Sequence, residues 1–312
     1  MTHSFSHYEQ MSRQGQTALY LYIDIETIPS QDPAVLDAIR AKHMVAEPDL
    51  TAIEADKRLT DPAKIAADLE KKRVKAVEDY VDAVEKSKSD INTEYRRTAL
   101  DASTGQIVCA SAALADRDVH CIWAHDLSAD AEKGMLQALF EGLESMLSEH
   151  AKDLALASLV EQGRSDIDSV RLEMQRHRVV PVVVAHHAGF DIRYIWQRAI
   201  ILGVTPPSWW PVDARPWDTD RVFDTMTAWA GHGNRIGLDR LCKALSLPGK
   251  TGVDGSQVWD LVRDGRIDDV VDYCDDDVRR LRSVHRRLIG LPVLEIDAIE
   301  VPDMGAAEKE AA

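Results

Sequence analysis

The chain has 312 residues, with 37 Lys and Arg against 53 Asp and Glu, for a formal net charge of -16. At 45% hydrophobic and 29% charged residues, its composition is that of a globular protein with a real core, not a disordered tail or a disulfide-stapled module. So acidic a chain is a poor general coat for nucleic acid, which needs clustered Lys and Arg. An enzyme that carries its positive charge on bound metal escapes that exclusion.

Residues 1–17 read as a flexible leader. The segment LYLYIDIETI over 19–28 alternates in period two and is rich in β-branched and aromatic residues, which predicts a strand ended by Pro29. Residues from about 33 to 97 change character to Ala, Lys, Glu and Asp and read as a helical insertion. Between Glu54 and Arg97, 11 acidic residues balance 11 basic ones, Asp68–Lys72 and Asp82–Lys86 stand at i,i+4, and Val77, Tyr80, Val81 and Val84 form an apolar stripe. That pattern predicts a solvated helical arm packed on the domain by one face, with a substrate clamp or partner-binding arm as the sharper alternative.

Strand signals return at 106–114 (QIVCASAAL) and 118–124 (DVHCIWA), a closely linked pair that predicts an antiparallel hairpin. A helix is expected over 131–150, with Met135, Leu136, Leu139, Phe140, Leu143 and Leu147 on one face, and a second helical segment to about 178. The run VVPVVVA over 179–185 is a strand buried on both faces that passes into a helix over about 190–202. A loop over 209–220, a short edge strand over 221–225, and helices over 236–247, 258–262 and 267–288 follow, with a tail over 291–312. The whole is read as one domain over 18–290 with the insertion inside it. Cys109, Cys121, Cys242 and Cys274 are far apart and form no C-x-x-C pair, so a cysteine zinc site has no support and a reducing, cytoplasmic location is expected. No apolar stretch is long enough to span a membrane.

Residues two apart on a strand share a face, so Asp24 and Glu26 point the same way from an otherwise apolar segment. Asp191 follows the strand over 179–185, near the carboxyl end where sites form in α/β folds, although by itself it also reads as a helix N-cap. The adjacent His186 and His187 lack a third partner and make no zinc site. On the last helix Tyr273 and Asp277 stand at i,i+4, so a phenol and a carboxylate reach one point. The macrodipole accounts for acids early in that helix and Arg279, Arg280, Arg282, Arg286 and Arg287 late in it, but not for the tyrosine's register. Those arginines read either as a basic lip or as a solvated helix end.

In order and spacing, Asp24-x-Glu26, Phe190-Asp191 and Tyr273-x-x-x-Asp277 resemble the DEDD superfamily of 3′→5′ exonucleases, in its tyrosine subclass (DEDDy). The strings IDIETIP, AHHAGFD and LSLPGKTGVDGSQVWDLVRDGRIDDVVDYCDDDV resemble the predicted exonucleases related to the proofreading domain of family B DNA polymerases, over 19–29 and about 106–288. The resemblance implies an α/β, ribonuclease-H-like mixed sheet flanked by helices and a two-metal phosphodiesterase using Mg²⁺ or Mn²⁺. Asp24, Glu26 and Asp277 then hold one ion, Asp24 bridges to a second, Asp191 supports the second, and Tyr273 orients the attacking water. It places Thr27 and Phe190 where a terminal nucleotide is held and makes Lys250 a candidate phosphate contact. His187 stands where the family usually has Asn, which alters any contact made by that amide. The implied substrate is a single-stranded 3′ end, DNA ahead of RNA, with any polymerase or replication partner acting in trans. An oligoribonuclease or RNA-trimming enzyme, and a non-catalytic binding protein that keeps the fold, are the alternatives.

Overall fold

The structure is a computed structural model that describes residues 18–164, 166–176, 180–215, 218–250, 252 and 254–294. The expected leader, and the expected tail beyond 294, lie outside the described residues. Pro29–Gly105 forms one compact unit, and Met1–Ile28 with Gln106–Ala312 forms the other.

The smaller unit contains helices α1 (Pro33–Lys42) and α2 (Pro62–Arg97). Each starts at an Asp-Pro pair: Asp32 and Asp61 cap with their carboxylates, and proline fixes the first helical φ. Glu94 on α2 accepts from Lys42 at 2.8 Å and pairs with His43 at 2.7 Å, joining the two helices. Within this unit α2 buries no residue, and Val77 and Val81 of its apolar stripe are exposed. Its support is the balance of charge along the helix, as in the 2.9 Å Asp68–Lys72 pair.

In the larger unit, β1 (Tyr20–Ile28) is the central strand. It is followed by β2 (Gln106–Leu114), β3 (His120–Trp123), α3 (Ala129–Glu161), α4 (Ile167–Arg176), β4 (Val182–Ala185), α5 (Ala188–Leu202) and β5 (Val222–Asp224). Helices α6 (Thr225–Ala230), α7 (Leu238–Ala244), α8 (Val258–Arg263) and α9 (Ile267–Leu288) complete it. The sheet runs β3-β2-β1-β4-β5, with β2 antiparallel to its neighbours and β4 and β5 parallel to β1. That is a mixed α/β sheet flanked by helices, as expected from the sequence. Helix α3 continues beyond the expected end because Ala151, Ala155 and Leu159 prolong its buried stripe.

Two layers of helix cover the sheet. On one face Tyr22, Ala113, Val184 and Phe223 pack against Val278 and Leu281 of α9. Alternation sends Ile23, Ile25, Ala110 and Ala112 to the other face, all buried, where α3 and α5 pack. The late arginines of α9 divide: Arg287 is exposed and Arg279 and Arg286 are half-buried, whereas Arg280 and Arg282 are buried. Arg282 is 0% exposed and donates to the carbonyls of Ala115 at 3.2 Å and Arg117 at 2.5 Å, tying α9 to the β2–β3 turn.

His285 is also 0% exposed, ringed by Tyr20, Tyr22 and Phe223, with Nδ1 3.0 Å from the Tyr22 hydroxyl and no partner for Nε2 among the described residues. Burial pushes its pKa down to about 3, with Arg286 adding to the effect. An unfolded histidine titrates near ~6.5, so the unfolded chain takes up a proton that the fold refuses once pH drops below that value. Stability should therefore fall by about 1.4 kcal/mol per pH unit through this group as pH drops toward 3. Denaturant melts of wild type and His285→Phe across that range should differ by this slope; parallel curves would refute it.

Candidate active site

One strand and two helices supply the acids. Asp24 and Glu26 lie on the α9 face of β1, opposite Ser111 and Cys109 of β2. The register slips between Glu26 and Thr27, where Val108 is the extra residue, so this bulge re-aims the strand just past the second acid. Asp277 comes down from α9, and its carboxylate, with those of Asp24 and Glu26, puts oxygens within 4.8 Å of one another.

Asp191 arrives by a different route. His187 adopts φ 77°, in the left-handed region, as the N-cap of α5, and its N–H donates to Asp224 Oδ1 at 3.2 Å. That turn starts the helix abruptly after β4 and sets Asp191 in its first turn, so Asp191 is not the N-cap it resembles in the sequence. It is buried, and its Oδ2 has no hydrogen-bond partner among the described residues.

The electrostatics match crowded acids. Burial, then the charge of Asp277, raises the pKa of Asp24 well above the usual carboxylate value. Burial and the charges of Asp24 and Asp277 do the same to Glu26, and burial with Asp24 and Asp224 to Asp191. Arg280, itself buried, donates to Asp277 Oδ1 at 2.7 and 3.1 Å, which holds that carboxylate in place through one oxygen. The donors are all oxygen, crowded against their own charge, with one buried lone-pair atom unpartnered. Such a set fits hard divalent cations.

Tyr273 stands over the same point, and burial with the nearby charges of Asp277 and Glu26 raises its phenol pKa, so it is a neutral hydroxyl at ordinary pH. Lys250 donates to that hydroxyl and lies 4.5 Å from the ring centroid. Thus the structure joins Lys250 to the tyrosine. Thr27 follows the bulge, and Phe190 stacks on His187 with centroids 6.0 Å apart. His186 is held at 2.9 Å by Thr225 and at 2.8 Å by the Ile236 carbonyl, which fixes it as a structural side chain.

Sequence reasoning passed over several residues. Asp224 ends β5, caps α6 through Met226 and Thr227, and adds its charge to Asp191. Its signal was an Asp at the end of a parallel strand. Beside it opens a cavity of about 340 Å³ lined by Arg193, Arg215, Arg235, His187 and Asn234. Next to the acids, the sulfurs of Cys109, Cys121 and Cys274 converge within 4.8 Å of one another, against the expectation from their spacing. Hydrogen bonds from Cys109 and Cys274 draw the Cys121 thiol down in pKa, and the Cys274 sulfur lies 3.6 Å from the Asp24 carbonyl oxygen. None of the helices among the described residues is long and apolar enough to cross a membrane.

Comparison with known proteins follows the same lines. No curated protein sequence matches the chain. Among solved structures, the family B DNA polymerase from the hyperthermophilic archaeon Pyrobaculum calidifontis superposes with a TM-score of 0.42 at 12% identity, over 91% of this chain and 27% of that one. The chain thus spans about a quarter of that polymerase's length. Residues 148–288, the stretch that carries Asp191, Lys250, Tyr273 and Asp277, match the model of a family described as "Predicted 3'-5' exonuclease related to the exonuclease domain of PolB", the resemblance to which the order and spacing of the acids point.

Proposed function

We propose that the chain is a divalent-metal-dependent 3′→5′ exonuclease that hydrolyses the terminal phosphodiester of single-stranded nucleic acid, DNA ahead of RNA, and releases nucleoside 5′-monophosphates. The observation that carries this reading is the meeting of Asp24, Glu26 and Asp277 within 4.8 Å beside the buried, unpartnered Asp191 oxygen.

In this reading Asp24, Glu26 and Asp277 hold one ion, and Asp24 and Asp191 a second. Mg²⁺ or Mn²⁺ suits the all-oxygen donor set and, when bound, makes water a better nucleophile and stabilises charge on the leaving oxygen. Arg280 fixes the rotamer of the Asp277 carboxylate through Oδ1 alone. Tyr273, kept protonated by burial, orients the attacking water rather than deprotonating it. In the same reading Lys250 beside it meets the scissile phosphate, and Thr27, His187 and Phe190 hold the terminal nucleotide. The arginines of the neighbouring cavity supply phosphate contacts that the acidic body lacks.

The test uses 5′-labelled single-stranded DNA and RNA of one sequence with Mg²⁺ or Mn²⁺, against EDTA. A ladder shortening one nucleotide at a time only with metal supports the reading; uncut substrate with both nucleic acids and both ions sinks it. The raised carboxyl pKa values add a thermodynamic prediction. In metal-free protein these acids keep protons the unfolded chain has lost, so their contribution to stability is fully present below pH ~4 and is lost as pH rises. Saturating metal should remove that fall and, at a hundredfold excess over Kd, raise Tm by roughly 5–10 °C. Melting curves at several pH values, with EDTA or Mg²⁺, check both points.

A further inference from the structure

We propose that Cys109, Cys121 and Cys274 form a second metal site, specific for a soft thiophilic ion of the Zn²⁺ class and separate from the carboxylate site. The inference is independent of the exonuclease reading. One face of the sheet carries it in two rows: Asp24 of β1, Ser111 of β2 and Cys121 of β3 stand opposite one another, as do Glu26, Cys109 and Trp123. Helix α9 lies on this face and inserts Cys274 between the rows, so three thiols from β2, β3 and α9 meet with sulfurs within 4.8 Å. A zinc–thiolate bond of ~2.3 Å with tetrahedral angles sets sulfurs about 3.8 Å apart, so an ion needs a closure of about 1 Å at most.

The strand register argues against a disulfide between Cys109 and Cys121. Cys121 is opposite Ser111, two residues from Cys109, so the two cysteines are diagonal neighbours with backbones ~7–8 Å apart. That is wider than a relaxed disulfide spans. A metal ion bridges the gap that a sulfur–sulfur bond does not. All four cysteines of the chain are unpaired, and Cys121 is the partly exposed member of the three, which provides an entry path. A water completes the fourth position. Binding displaces the thiol protons to solvent, since the thiolates are the ligands. Such an ion would clamp the hairpin edge to α9, the helix that bears Tyr273 and Asp277.

The probe is Cd²⁺, titrated into reduced protein in excess Mg²⁺ and read by thiolate-to-metal charge-transfer absorption, with metal content by mass spectrometry. One equivalent of thiolate-bound Cd²⁺ per chain is expected. Cys121→Ser should weaken binding at least tenfold and remove about a third of the band, whereas Cys242→Ala, which lies outside the cluster, leaves it unchanged. Asp24→Ala should keep the band, so loss of exonuclease activity and loss of this site are separately visible. Circular dichroism confirms that each variant is folded. No sulfur band, a band that survives Cys121→Ser intact, or isolation of a disulfide among the three cysteines without bound metal would overturn the proposal.

Discussion

Asp24→Ala should lower exonuclease turnover about 10³-fold while leaving the protein folded. Asp24 belongs to the three-carboxylate cluster and, in the proposed mechanism, touches both ions. Loss of ion positioning removes several kcal/mol of transition-state stabilisation, and roughly 4 kcal/mol corresponds to that factor. The fold does not suffer, because the native state holds Asp24 against its own burial and against the charge of Asp277. Without metal, the variant should be at least as stable as wild type. Single-turnover digestion of labelled DNA together with thermal melts in EDTA tests both halves. Unchanged turnover would take Asp24 out of the catalytic site, absence of digestion by wild type and variant alike would favour the non-catalytic binding protein, and collapse of the fold would show that Asp24 is structural.

Arg198→Met should destabilise the larger unit by about 3–5 kcal/mol, or on the order of 10 °C in Tm. Arg198 on α5 forks onto Glu132 on α3, with Nε 2.8 Å from Oε1 and Nη2 2.6 Å from Oε2, and both side chains are buried. Glu132 Oε1 also accepts the Ile107 N–H at 2.9 Å, so the pair anchors two helices to the start of β2. Methionine replaces the volume but strands a buried carboxylate. The double variant Glu132→Leu/Arg198→Met removes both charges and should recover most of the loss, which a denaturant double-mutant cycle would show. Full additivity of the two single losses would mean that the ion pair is not the cause.

Local pattern determined much of this protein. The hairpin strand Gln106–Leu114 and the helix Ile267–Leu288 have the bounds that their periodicity predicts, because alternation and amphipathic spacing are written along the chain itself. Asp24, Glu26, Tyr273 and Asp277 are legible for the same reason: each pair lies on one element at a spacing that puts both residues on one face. The helical insertion expected over about 33–97 holds helices α1 and α2, whose starts are marked by the Asp-Pro pairs at Asp32 and Asp61. Tertiary structure decided what no spacing records. Strand register across β1, β2 and β3, together with the docking of α9 on that face, brings residues 24, 109, 121 and 274 to one place. The same docking buries Arg280 and Arg282, which the sequence presents as ordinary residues of a charged helix end. Periodicity fixes which face of an element a side chain occupies, but the element against which that face packs depends on long-range register, and only the folded chain specifies it.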